Sequence, residues 1–270
     1  MIYILSLIAI VIITIIVGRV NLAIKFNNQV NELFSNSNNI TEKAFSYKEL
    51  TGLPEPVQRY FKHVLKDGQP YLSYVRLTHD GFFKLGQNKK WVAIKGEQYF
   101  TTGNPGFIWK GTTRMFVARD MYIADNGRLI ATLFSLYNVV DAKGENYNEG
   151  ELQRWLAESI WFPTNLLPGN NLHWTAIDSL SAKLTFNYKG QSLFFTVRFN
   201  DIGEITEMET KRYMDATNKR TWICKMYKYE NRNGVYIPTE AEALWRLEKG
   251  DFSYAKFRVQ KIEYDVPERF

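Results

Sequence analysis

Glu151, Arg154 and Glu158 offer the most suggestive chemistry in this chain. Spaced by three and four residues, they fall on one side of a helix formed by NEGELQRWLAESIWFPT. Two carboxylates flanking a substrate could hydrolyse a glycoside, one as acid and the other as base or nucleophile. Asp141 and Asp178, near predicted strand ends, are further acid/base candidates. The competing reading is an ion-paired, solvated helix face, and it is the expectation here, so no catalytic residue is assigned. Arg119-Asp120 could clamp a polar headgroup, but a cross-strand or turn ion pair is the more ordinary use of such a pair.

Other chemistries find little support. The 3 histidines, His63, His79 and His173, have no short ligand spacing, and Cys224, the 1 cysteine, cannot build a thiolate site. No G-x-S-x-G elbow, P-loop or G-x-G-x-x-G occurs, so neither a metal nor a cofactor is expected. The formal charge of +6 is spread along the chain, as on a solvated surface, and nucleic acid is not an expected partner.

A hydrophobic ligand is better served. In the segment from Gly234 to Lys249, one face of a strand carries Val235, Ile237, Thr239, Ala241, Ala243, Trp245 and Leu247. Small Ala241 and Ala243 leave room that something must fill, because interiors are close-packed. A helix is the plain filler; an acyl chain is the sharper one. With 7 tryptophans in the chain, aromatic residues are available to line such a space, and the candidates are Trp109, Trp155, Phe195, Ala241, Ala243 and Trp245.

These residues need elements to hold them. LPEPVQRYFKHVLKDG reads as a helix, with prolines in its first turn and Val57, Tyr60, Phe61, Val64 and Leu65 along one face. The helix that carries Glu151 has Asn148 as its expected cap and a stripe of Leu152, Trp155, Leu156 and Ile160. Elsewhere the period is two. Strands are predicted near 72–86, 90–102, 106–115, 117–124, 127–135 and 138–146, then at 172–178, 181–189, 192–200, 203–212, 219–231, 234–248 and 251–264. Asp125-Asn126-Gly127 predicts a hairpin with Asn-Gly at its turn, and the pattern slip near Gln260-Lys261 predicts a β-bulge. About thirteen strands are too many for a flat open sheet. The predicted fold is mainly β (α+β): a strongly curved antiparallel sheet, or incomplete β-barrel, with two amphipathic helices packed on its concave side.

The N-terminus differs in kind. MIYILSLIAIVIITIIV contains no charge, and with Val20, Leu22, Ala23 and Ile24 it approaches the about 20 residues of a transmembrane helix. It lacks a positive n-region and a small-x-small site, which argues against a cleaved signal. Residues 1–24 are therefore expected to be a single-pass anchor in the cell membrane, residues 25–48 a linker, and residues 49–270 one curved β-sheet domain. Arg19 and Lys25 on the C-terminal flank favour a cytoplasmic domain.

Two resemblances follow from these residues. L-P-x-P-V-Q-R-Y-F at 53–61, V-R-L at 75–77 and W-F-P-T at 161–164 resemble a bacterial membrane-anchored family of unknown function, over residues 50 to 265. The leading helix, the meander and the late G-V-Y-I-P at 234–238 resemble the lipoprotein-localisation factor (LolA/LolB-like) lipoprotein-carrier fold. That second resemblance implies a cavity for acyl chains and an extracytoplasmic site, opposite to the vote of the flanking charges. The expected function is a non-catalytic, membrane-tethered binding protein for a lipid or a lipidated partner. The alternatives are an envelope glycan- or lipid-processing enzyme using Glu151 or Glu158, and a purely structural interaction domain.

Overall fold

Hairpin after hairpin builds the sheet. The computed structural model describes residues 2–37, 39–215 and 217–270. In chain order the elements are α1 (Ile2–Ser35), α2 (Glu55–Val64), β1 (Tyr74–Phe83), β2 (Val92–Thr101), β3 (Gly106–Thr112), β4 (Phe116–Ile123), β5 (Asn126–Leu133), β6 (Tyr137–Lys143) and α3 (Glu145–Glu158). Then come β7 (Leu172–Asp178), β8 (Ser181–Tyr188), β9 (Gln191–Phe199), β10 (Ile205–Tyr213), β11 (Lys219–Arg232), β12 (Val235–Leu247) and β13 (Gly250–Tyr264). All 13 strands form one antiparallel sheet in the order β6-β5-β4-β3-β2-β1-β13-β12-β11-β10-β9-β8-β7. Chain neighbours pair in every hairpin, and β1 against β13 joins the two meanders. The sheet does not close, but it curls: Lys189 beyond β8 pairs with Asp125 beyond β4, although these strands stand far apart in the order. The predicted curved, incomplete barrel is therefore the observed fold.

The bulge is also where the pattern slip placed it. Thr78 opposes Lys261 and His79 opposes Val259, so Gln260 is the extra residue and Ile262 turns into the core. The hairpin turn after β4 is shifted from its expected position. Ala124 and Asp125 adopt the positive φ angles, while Asn126 and Gly127 already pair in β5. Gly127 serves close approach instead: a Cβ there would lie 2.3 Å from the Tyr147 carbonyl oxygen of α3. Asn148 is not the cap of α3. It sits inside the helix and accepts the Gly127 N–H on Oδ1 at 2.7 Å, tying α3 to the sheet.

The concave face holds α2 and α3. Val57, Tyr60, Phe61 and Val64 of α2 share one core with Leu152, Trp155 and Leu156 of α3 and with inward residues of the sheet. The convex face belongs to α1, which corrects the expected linker. From residue 25 the helix continues to Ser35, and Phe26, Val30 and Leu33 bury against Tyr99, Ile108 and Met121. These strand residues alternate with inward Gln98, Trp109 and Asp120, as the period of two requires. Beyond α1, Phe45 is buried and bonded to Gln69, and Tyr71 bonds Lys43, so residues 43–45 of the expected linker are also pinned to the domain. Within α1 the buried residues begin at Gly18, and the part before it projects from the domain.

Candidate functional site

Between α3 and the concave sheet lies a cavity of about 290 Å³. Its origin is a row of small residues. Cys224 of β11, Ala243 of β12 and Ala255 of β13 lie side by side across three strands. Ala118 and Ala157 add to the same space from β4 and α3. A register shift beside Ala243 leaves Tyr254 unopposed on β13, and its hydroxyl accepts the Trp222 indole N–H at 2.9 Å. Of the predicted candidates, Trp109, Ala241, Ala243 and Trp245 line the cavity. Trp155 and Phe195 do not. Trp155 faces away into solid core, donating to the Thr101 carbonyl at 2.9 Å and packing on Phe186, and Phe195 is fully buried on β9 opposite Leu184. A helix fills the concave side only in part, because α3 presents its apolar stripe to the core and its polar stripe to the cavity.

That polar stripe overturns the expectation of a solvated face. Glu151 and Arg154 are buried, Glu158 is nearly so, and all three line the cavity. Arg154 bonds Asp120 of β4, donates from Nε to Glu158 Oε1 at 2.9 Å, and lies 5.0 Å from the ring centroids of both Phe107 and Trp109. Glu158 Oε2 accepts from Gln98 at 2.6 Å. About two turns before Glu158, Glu151 Oε1 accepts from Arg212 at 3.0 Å, and Arg212 also bonds the Gly150 carbonyl. Burial raises the pKa of Glu151 well above its ordinary value, and the neighbouring Asp120 charge raises it further. Glu151 therefore retains a proton where ordinary carboxyls have lost theirs. Asp120 Oδ1 and Glu151 Oε2 are buried without another hydrogen-bond partner, which is consistent with a carboxyl that favours its protonated form. Burial also raises Glu158, against the pull of Arg154. The site thus sets two carboxyls that burial inclines towards the protonated form, with Arg154 and Arg212 as their partners, at the edge of an apolar chamber.

His79 supports the Trp109 wall. Trp109 Nε1 donates to His79 Nε2 at 2.8 Å, so the imidazole carries its proton on Nδ1, 3.2 Å from the Asp80 carbonyl oxygen. Burial lowers its pKa from 6.5 to about 4, and the charge of Arg154 acts in the same direction. The unfolded chain binds the proton first, so this contribution to stability is complete above about pH 6.5 and is lost as pH falls towards 4. The loss amounts to roughly 3 kcal/mol. Urea unfolding of wild type and His79→Gln should therefore diverge across this window, with the variant's midpoint falling less steeply towards acid pH.

Other candidates are dispersed. Asp141 pairs with Arg128 at the surface, and Asp178 accepts from Leu180 in its own turn. Arg119 points to the convex face and bonds Gln29 of α1 at 2.7 Å, opposite in direction to Asp120, so the two neither pair nor form a clamp. His63 lies beside Glu204 on α2, away from the cavity, and His173 is exposed. No group of three metal-ligating side chains occurs among the described residues. Asp120 and Arg212 were hidden from the sequence as partners of the α3 carboxylates, because both come from strands remote in the chain.

The chain belongs to a family of unknown function (DUF6544), whose model matches residues 43–257. No curated protein matches it. Among solved structures it is similar to a LolA superfamily protein from Nitrosomonas europaea, with 11% identity and a TM-score of 0.43, over 77% of this chain and 91% of that chain. It is also similar to a structure named as an outer membrane lipoprotein-sorting protein domain from Vibrio parahaemolyticus, with 9% identity and a TM-score of 0.40, over 71% and 85%. A DUF1329 family protein from Desulfovibrio piger is similar at 10% identity and a TM-score of 0.37, over 72% and 87%.

Proposed function

We propose that this member of DUF6544 is a non-catalytic, membrane-tethered binding protein for a lipid-like ligand. The observation that carries the reading is the apolar chamber opened by Cys224, Ala243 and Ala255 and bordered at one side by Glu151, Asp120 and Arg212. Its volume is on the order of the about 300 Å³ at which small-molecule pockets begin, and its walls are mostly apolar with a few convergent polar groups. The hydrocarbon part of an amphiphile packs against Trp109, Ala241, Ala243 and Trp245. Its polar end meets the carboxyl of Glu151, which can donate a hydrogen bond, and the Arg212 guanidinium. Ile2–Val17 supplies the tether. Native mass spectrometry of gently purified chain should show a copurifying lipid, and delipidated chain should take up a fluorescent fatty acid saturably. Absence of both sinks the reading.

The retained proton of Glu151 favours one second reading, an enzyme acting on envelope glycans or lipids with Glu151 as acid. Turnover of such a substrate that Glu151→Gln abolishes, with binding kept, would establish it in place of the binding protein.

A further inference from the structure

We propose that the end of the sheet bearing the β1–β2, β3–β4 and β5–β6 turns is a membrane-contacting rim, so that the cavity opens onto the bilayer. The inference rests on α1 being the tether and goes beyond it, because a tether by itself leaves the domain's orientation free.

Strand register places these three turns together. Phe83 opposes Val92, Thr112 opposes Val117, and Leu133 opposes Tyr137, all at one end of neighbouring strands. Apolar side chains stand exposed there: Leu85 at 65%, Met115 at 56%, Phe134 at 48%, Leu136 at 50% and Tyr137 at 71%. Such clustering on a polar-rimmed domain marks a contact surface.

The course of α1 identifies the partner. Its C-terminal part reaches the opposite end of the sheet, where Leu33 touches Gly106 and the Asn36 carbonyl accepts from Asn104 at 2.6 Å. Its Gly18 lies at the rim, so close that a Cβ would be 2.5 Å from the Ser135 carbonyl oxygen and 2.7 Å from Leu136. The helix therefore crosses the back of the sheet and leaves it at this rim, and Ile2–Val17 projects beyond. That projecting length is about 24 Å. A bilayer core is about 30 Å thick, so a spanning helix must draw Gly18 and its neighbours into the apolar boundary. The residues touching Gly18 follow it.

Charge agrees with this placement. The β1–β2 loop carries Lys84, Lys89 and Lys90 with no acidic residue between Lys84 and Trp91, and Arg114 sits in the β3–β4 turn. Basic groups beside exposed aromatic and aliphatic residues suit an anionic lipid surface. The cavity reaches the same rim, for Phe83 and Phe116 are among its lining residues. A ligand could then pass from the membrane into the chamber with its hydrocarbon part shielded from water.

Spin labels test this in the full chain, reconstituted in phosphatidylcholine–phosphatidylglycerol vesicles. Cys224 is the only cysteine, so a Cys224→Ala background accepts Leu85→Cys or Tyr137→Cys at the rim, Ile12→Cys in the anchor, and Asn126→Cys at the opposite end. The rim labels should resemble Ile12→Cys, losing collisions with a water-soluble nickel complex and gaining them with oxygen. Asn126→Cys should show the reverse. Rim labels as open to nickel as Asn126→Cys, with Ile12→Cys in lipid, overturn the rim and leave the tether. If Ile12→Cys also stays in water, the tether falls and the rim with it. Should Cys224→Ala fail to fold, brief labelling with Cys224 retained gives the same readout, because burial raises that thiol's pKa and slows its reaction.

Discussion

Ala243→Phe should abolish saturable uptake of a fluorescent fatty acid, a loss of tenfold or more, while the chain stays folded. Ala243 sits between Cys224 and Ala255, at the centre of the small-residue row. A benzyl group there occupies the space that the ligand's hydrocarbon would use. In a filled core the same enlargement would cost about 1–3 kcal/mol through strain. Here the cavity receives it, and the unfolding midpoint should hold or rise, since empty volume next to apolar walls is itself destabilising. Phe195→Leu is the control. It trims solid core away from the cavity, so it should lower stability and leave uptake alone. Unchanged uptake in Ala243→Phe would mean that the ligand does not enter this chamber.

Arg154→Met should be the most destabilising single change in the site, by about 3–5 kcal/mol, because it strands Asp120 and Glu158 in the interior without their cation. The Met side chain keeps much of the packing against Phe107 and Trp109, so the loss reports the charge. Its size should depend on pH. Glu151 and Glu158 have raised pKa values in the folded chain, so the folded state holds protons that the unfolded state has released. For such groups stability is complete below the ordinary carboxylate range, near 4.5, and is lost as pH rises through the folded values. Removing Arg154 pushes the carboxyls further in that direction. Urea unfolding in detergent micelles should show a deficit that is small near pH 4 and full at pH 8. Adding Asp120→Asn and Glu158→Gln to Arg154→Met should restore part of it. A deficit of equal size at both pH values would assign the role of Arg154 to packing.

Much of this architecture was legible from local patterns. The strands announce themselves by alternation, as in Leu193, Phe195 and Val197 of β9, and α2 by its apolar spacing. Even the bulge at Gln260 was visible, because one extra residue flips the pattern of every residue after it. The misreadings share a cause. Asn and Ser content gives residues 25–48 the look of a linker, and Phe26, Val30 and Leu33 offer too few apolar residues to reveal a docked helix. Asn148 looked like a cap because its side chain suits one, yet the nearby Gly127 N–H takes its oxygen.

The chain's order of residues was enough to define a charge-free N-terminal segment, an antiparallel meander and a strand face too small to fill its own interior, because each depends on neighbours within a few positions. Folding in three dimensions decided what that space became. The curl of the sheet brought Asp120 and Arg212 to the polar side of α3, turned Glu151, Arg154 and Glu158 from an exposed ion-paired face into the border of a chamber, and sent Trp155 and Phe195 into solid core. Burial and charge pairing act between groups far apart along the chain, so no local pattern records them.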